Sequence, residues 1–308
     1  MKLAVGTAQF GRDYGIVNQR GQIPRGEAAK ILAFAQQSGI DLIDTAPAYD
    51  ESERTIGAAL PENHSFRIIT KSPTFRGAAA IDPSHMEELK ETFYRSLERL
   101  RVARLYGLLL HNADALRVPG SLMLVDAMRD LVREGVVDKV GVSLYNGNQI
   151  DHTLSLFTPD IVQCPVNVFD QRLLASGHIA KLHRIGVEIH ARSIFLQGLL
   201  LLPSANQLPP YFARWREHFA RYFRHLADER LEQIVAALSF VAAQRGIAAA
   251  VVGVSCLHDL EQIVSGIGNL SFDTATLAQF SVSDPGLVDP SVWNHRSPGS
   301  DSTVAEAR

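Results

Sequence analysis

Leu42-Ile-Asp-Thr-Ala-Pro-Ala-Tyr49 is a short apolar run that ends in a carboxylate, Asp44, turns at Pro47 and reaches a phenol, Tyr49. Two later stretches repeat the pattern. Phe66-Arg-Ile-Ile-Thr-Lys71 is a β-branched run ending in an ammonium, and Leu108-Leu-Leu-His111 ends in an imidazole. Short runs of this composition read as buried strands, so acid, phenol, ammonium and imidazole all fall at the C-terminal ends of candidate strands. In a parallel barrel that is the face where active sites are assembled.

Outward from this centre, strands and helices alternate. Lys2 to Gly6 predicts a first strand, Asp41 to Asp44 the second, Phe66 to Lys71 the third, Leu105 to His111 the fourth and Val140 to Ser143 the fifth. Between them, helices are expected over Gly26 to Ser38, Ser52 to Leu60, Asp82 to Arg101 and Ser121 to Glu134. Met86, Leu89, Phe93, Leu97 and Leu100 trace one apolar face of the longest. Helix Gln149 to Phe157, strand Asp160 to Gln163, helix Ile179 to Ile185 and strand Glu188 to Ser193 continue the alternation. A long helix from Ala227 to Gly246, a strand from Ala249 to Ser255 and a helix from Leu257 to Ile267 complete it. Eight βα units predict an α/β protein with one (β/α)8 TIM barrel, a single domain over residues 1–295.

Residues 202–226, after the seventh strand, form an insertion longer than most βα loops. Phe212, Trp215, Phe219 and Tyr222 recur there at helical spacing with charges between them, which reads as an amphipathic helix packing its aromatics. A long loop on the active face of a barrel can also wall a substrate pocket. Trp293 is expected to dock on the barrel, and residues 296–308, rich in Ser, Pro, Gly and charge, are expected to be disordered.

The 308 residues carry 30 Lys and Arg against 33 Asp and Glu, so no basic excess points to nucleic acid or an anionic membrane. No apolar run is long enough to span a bilayer, and the N-terminus lacks a secretory pattern. A cytoplasmic protein is expected. Cys164 and Cys256 have no CxxC spacing and read as reduced, buried thiols, and no metal site is expected.

The chemistry follows from the residue types. A tyrosine, with a pKa of about 10 in water, gives up a proton near neutral pH when an ammonium beside it stabilises the phenolate. A carboxylate paired with that ammonium holds it in place and charged. Tyr49, Lys71 and Asp44 are those three types, and His111 can donate a hydrogen bond to a substrate oxygen. Such a set protonates an oxyanion as it forms at a carbonyl. Each residue alone has a structural alternative: a helix cap or ion pair for Asp44, a solvated Lys71, a packed Tyr49 or a satisfied core His111. Four on three consecutive strand ends are harder to explain that way.

With Gly6-Thr7, Asp44-Thr-Ala-Pro-Ala-Tyr49, Lys71, His111-Asn-Ala-Asp114, Gly141-Val-Ser143, Gln163 and Gln197-Gly198 all in place, the chain resembles the aldo-keto reductase family from Lys2 to about Ile267. The resemblance implies a catalytic tetrad of Asp44, Tyr49, Lys71 and His111, with Tyr49 as general acid and base. It also implies an NADP(H) or NAD(H) cofactor bound across the barrel mouth, and no G-x-G-x-x-G follows a strand anywhere in the chain. By the same resemblance Ser143 and Gln163 contact the nicotinamide carboxamide and Gly6 and Thr7 line its pocket. Ser193, Gln197 and Gly198 contact the pyrophosphate, with Gly253, Ser255 and Asp259 completing the cofactor site. The substrate expected is a small carbonyl compound or alcohol, such as an aldehyde, ketone or sugar.

This sequence departs from the family pattern at three places. Leu144 stands where Asn is usual, so that amide contact is lost or moves to Asn146. Arg192 stands where many members stack a Tyr on the nicotinamide, with Glu188 a nearby acid to offset its charge. Gly253 to Asp259 lacks the cations commonly used for a 2′-phosphate, so little discrimination against NAD(H) is expected. Asp259 could equally be a helix-start acid. The fold also resembles potassium-channel β subunits, which makes a nicotinamide-sensing regulatory subunit the alternative function; an isomerase or aldolase without nicotinamide would leave Ser143 and Gln163 unexplained.

Overall fold

The computed structural model describes residues 1–268 and 273–293. The expectation for 296–308 lies outside these residues. Eight parallel strands close into a barrel in sequence order: β1 (Lys2–Gly6), β2 (Leu42–Asp44), β3 (Arg67–Lys71), β4 (Leu105–Leu110), β5 (Val137–Ser143), β6 (Ile161–Pro165), β7 (Glu188–Arg192) and β8 (Ile247–Gly253). Closure runs through β1 and β8, where Lys2 to Gly6 pair one to one with Ala249 to Gly253.

Strand alternation separates two apolar layers. Ala4, Leu42, Ile69, Leu109, Ile161, Ala249 and Val251 fill the barrel interior. Val5, Ile43, Leu108, Leu110, Val142, Val162, Ile189 and Val252 face outward against the helices. Both faces of each strand are therefore buried, which is why the strands read as continuous apolar runs. Gly107 belongs to the interior layer, where a Cβ would stand 3.1 Å from side chains of both Ile69 and Ile161.

Two boundaries differ from those the sequence suggests. β5 begins at Val137, three residues early, because its partner β4 starts at Leu105 and pairs with it there. The helix expected from Ala227 to Gly246 is two: Arg216–Asp228 and Gln233–Ala242. Arg230 takes a left-handed φ of 54° and Leu231 N–H bonds back to Leu226 O, which closes the first helix. No Gly or Pro marks that break. β8 correspondingly starts at Ile247, directly after Gly246 turns with φ 102°.

The insertion divides its two expected roles. Its first part, with Leu201, Leu202 and Gln207, reaches the cavity at the barrel mouth. Its second part packs: Phe212, Phe219 and Tyr222 are fully buried, Phe169 lies edge-on to Phe219 at 4.9 Å, and Trp293 docks on Phe212 at 4.9 Å. Among the described residues no helix is long and apolar enough to cross a membrane.

Candidate active site

A cavity of about 840 Å³ opens at the C-terminal ends of the strands, within the range that takes small ligands. Asp44, the last residue of β2, and Lys71, the last of β3, point into the barrel. The Lys71 ammonium donates to both carboxylate oxygens of Asp44 at 2.9 Å and to Thr45 O at 2.9 Å. Lys71 is only 2% exposed and lies behind the cavity wall, to which Asp44, Tyr49 and His111 contribute. Burial works against charge on Lys71, but the Asp44 carboxylate, and then Tyr49, outweigh it and raise the pKa above its ordinary value.

Tyr49 sits in the turn after β2, its ring centre 5.0 Å from the Lys71 nitrogen and 5.9 Å from the His111 ring, which meets it edge-on. The geometry of that turn is set from beneath. Thr7 Oγ1 donates to Asp44 O at 2.9 Å, and Ser52 Oγ, 2.9 Å from Thr7 Oγ1, ties the next helix to the same knot. Gly11 belongs to it by close approach, since a Cβ there would lie 1.7 Å from Tyr49 O. Ser52 therefore braces the site, and the helix it opens has no side-chain cap of its own. Glu53 does not serve the helix dipole from the surface either. It is fully buried, accepting from Thr70 Oγ1 at 2.6 Å and Arg99 at 2.9 Å.

His111 is pushed down to about 3, by burial first and then by the cations Lys71, Arg192, Arg12 and Arg76. It is neutral at physiological pH. Its buried Nδ1 has no hydrogen-bond partner, so the proton is better placed on Nε2, where a neutral imidazole acts as a donor.

All eleven residues expected at the cofactor line the same cavity. Gln163 also donates to Asp44 Oδ1 at 2.7 Å, which ties β6 to the buried ion pair. Ser193 and Gln197 hold left-handed φ values of 58° and 52°, an uncommon conformation outside Gly that concentrates at functional sites. Gln197 Oε1 accepts from Ile16 N–H at 3.1 Å, so the loop after β1 meets the loop after β7 across the mouth.

Three details correct the sequence reading. Asn146 does not replace the missing amide: its side chain accepts from Gln149 N–H and caps the helix Gly147–Leu156. Glu188 does not offset Arg192. It starts β7, of which Arg192 is the last residue, and there bonds Tyr106, Lys139 and His190. Arg192 itself lies 4.1 Å from the Tyr145 ring centre and donates to Leu144 O at 3.1 Å, without a carboxylate partner among the described residues. Asp259 is a helix-start acid, as its Oδ2 accepts from Ser255 N–H at 2.7 Å, yet it still lines the cavity.

Sequence reasoning did not single out Arg12, Tyr14, Arg76 or Tyr145, all of which line the cavity. They sit on loops with no periodicity. The only signal was position, just after a strand end.

The aldo/keto reductase family model matches residues 2–281. D-arabinose 1-dehydrogenase of Saccharomyces cerevisiae is 31% identical over 121 residues, 37% of this chain and 36% of that protein. Aldo-keto reductase YhdN of Bacillus subtilis is 27% identical over 148 residues, 46% of this chain and 44% of that one. Both alignments thus span less than half of the curated relative. The holo form of aldo-keto reductase AKR11C1 from Bacillus halodurans superposes with a TM-score of 0.69 at 22% identity, covering 91% of this chain and 90% of that one, a likeness of fold.

Proposed function

This chain belongs to the aldo/keto reductase family, and from that premise we propose that it is an NAD(P)(H)-dependent oxidoreductase interconverting a carbonyl compound and an alcohol. The observation that carries this is the buried Asp44–Lys71 pair set against Tyr49, with neutral His111 edge-on to the same phenol. Tyr49 gives its proton to the carbonyl oxygen as hydride reaches the carbon, and takes a proton from the alcohol in the reverse direction. Lys71 stabilises the phenolate left behind, and Asp44 keeps Lys71 charged where burial alone would neutralise it. His111, donating from Nε2, steadies the developing oxyanion.

The cavity fits a dinucleotide on three counts. It is large, it holds an unpaired guanidinium at Arg192, and its wall after β7 is a left-handed turn at Ser193 and Gln197. Ser143 and Gln163 would hold the nicotinamide end beside Gly6 and Thr7. Ser193, Gln197 and Gly198 would hold the pyrophosphate. When bound, the dinucleotide supplies the hydride donor or acceptor.

NAD(H) fits the far end better than NADP(H). Ser255 N–H is already taken by Asp259, and Leu257 N–H by Glu27 Oε1 at 2.9 Å. A 2′-phosphate arriving there meets two carboxylates in place of free donors. The test is turnover of a panel of aldehydes, ketones and sugars, in both directions and with both cofactors, followed by nicotinamide absorbance. Cofactor binding with no turnover of any member would overturn the oxidoreductase reading.

A further inference from the structure

The cavity is divided by its chemistry. The groups assigned to the dinucleotide lie mainly on the loops after β5 to β8. Tyr49 and His111, which meet the reacting carbonyl, follow β2 and β4. Two guanidiniums sit on this second side, Arg12 after β1 and Arg76 after β3, and so flank the proton donor. Arg12 lies 5.7 Å from the Tyr49 ring centre and 5.4 Å from that of Tyr14, and donates to Ala48 O. Neither arginine has a carboxylate within ion-pairing distance among the described residues, although twenty such pairs are formed elsewhere. The chain as a whole is acidic, with a net charge of −3, so the cationic cluster is a local feature of this wall and not a sample of the surface.

A guanidinium held against aromatic rings, with its donors unspent, is built to take a planar or tetrahedral oxyanion in a fixed geometry. The cofactor candidates already include their own cation, Arg192, on their own side. We infer that the substrate carries an anionic group, a carboxylate or phosphate a few bonds from its carbonyl, and that Arg12 and Arg76 bind that group. This rests on the oxidoreductase reading above and narrows its substrate class. The same two cations help to hold His111 neutral, so an anion bound between them would act on the carbonyl site without protonating the imidazole at physiological pH. A cleft with one sign of charge also raises the local concentration of oppositely charged substrate.

The test compares matched pairs in the presence of nicotinamide cofactor: 4-oxobutanoate against butanal for the carboxylate arm, and glyceraldehyde 3-phosphate against glyceraldehyde for the phosphate arm. In at least one arm the anionic member is expected to win in kcat/KM by about ten- to a hundredfold, the usual worth of a hydrogen-bonded charge. That ratio should fall as salt rises, fall severalfold in Arg76→Gln, and invert in Arg76→Glu, which lies on the exposed rim and leaves the fold intact. Arg12→Gln should lower it further. If the arginines serve only to tune Tyr49, each substitution lowers both members of a pair equally and the ratio stands, which overturns the proposal. A wild-type ratio near one in both arms overturns it too, while leaving the oxidoreductase reading intact. No turnover of any of the four, nor of the wider panel, sinks both.

Discussion

The two mouths of the barrel carry buried polar clusters of similar size and opposite character. At the lower mouth, the N-terminal ends of the strands, every cation has its carboxylate. Lys2 and Arg67 share Asp41, while Lys139 and the Tyr106 hydroxyl converge on Glu188 Oε2, with His190 on Oε1 at 2.7 Å. At the upper mouth only Lys71 is paired, and Arg12, Arg76 and Arg192 are left facing a cavity beside the unpartnered Nδ1 of His111. A closed network stabilises. An open one holds donors in readiness for a ligand that is not protein, at some cost in stability.

The sharpest way to break this comparison is at Tyr49. Tyr49→Phe removes one hydroxyl on the cavity wall, so kcat should fall by about 10²–10⁴-fold with melting temperature and cofactor dissociation constant nearly unchanged. Retention of more than about a tenth of wild-type kcat would remove Tyr49 from the role of acid.

Glu188→Ala is the mirror experiment at the lower mouth. It strands Lys139, Tyr106 and His190 together, and should destabilise by roughly 2–4 kcal/mol, read from urea unfolding, with turnover per folded molecule preserved. The pH dependence has a definite sign. Burial raises the Glu188 pKa, but bonds from His190, Lys139 and Tyr106 outweigh it and hold the pKa well below the ordinary 4.5. A carboxylate depressed on folding contributes fully above its unfolded pKa and loses that contribution as pH falls. Glu188→Gln should therefore lose less stability than wild type between about pH 4.5 and pH 3, and equal slopes would show the cluster to be energetically silent.

Smaller effects sharpen the upper mouth. Arg192, a buried cation with no carboxylate, should disfavour the oxidised nicotinamide cation over its neutral reduced form by about 1–4 kcal/mol before screening. Arg192→Tyr is expected to bring the two dissociation constants closer by fivefold or more. An unchanged ratio would mean that Arg192 answers to the pyrophosphate alone. The smallest effect is at Asp259. The wild type should favour NADPH over NADH by less than about tenfold, and Asp259→Asn, which keeps an acceptor for Ser255 N–H, should raise NADPH preference severalfold. No change in that ratio would reduce Asp259 to a cap.

The candidate tetrad was legible because each of Asp44, Lys71 and His111 closes an apolar run, and a parallel barrel puts all such ends on one face. The lower cluster was not: Tyr106, Lys139 and Glu188 read as ordinary polar strand residues, 82 positions separating Tyr106 from Glu188. Nor was the Glu27 bond to Leu257, which spans 230 residues. Asn146 was misjudged because cap and ligand-contact roles suit the same side chain at the same turn.

Alternation and length of the apolar runs determined the strands, their order and the face on which chemistry gathers, since those depend on local periodicity and on burying both sides of a parallel sheet. Charge pairing was decided only by closure of the barrel. Whether Glu188 compensates Arg192 or Lys139 depends on which strands stand beside it and at what level. Side chains at opposite ends of one five-residue strand are separated by roughly four residue rises of about 3.3 Å, far enough that one acid serves the lower mouth and leaves the upper one cationic.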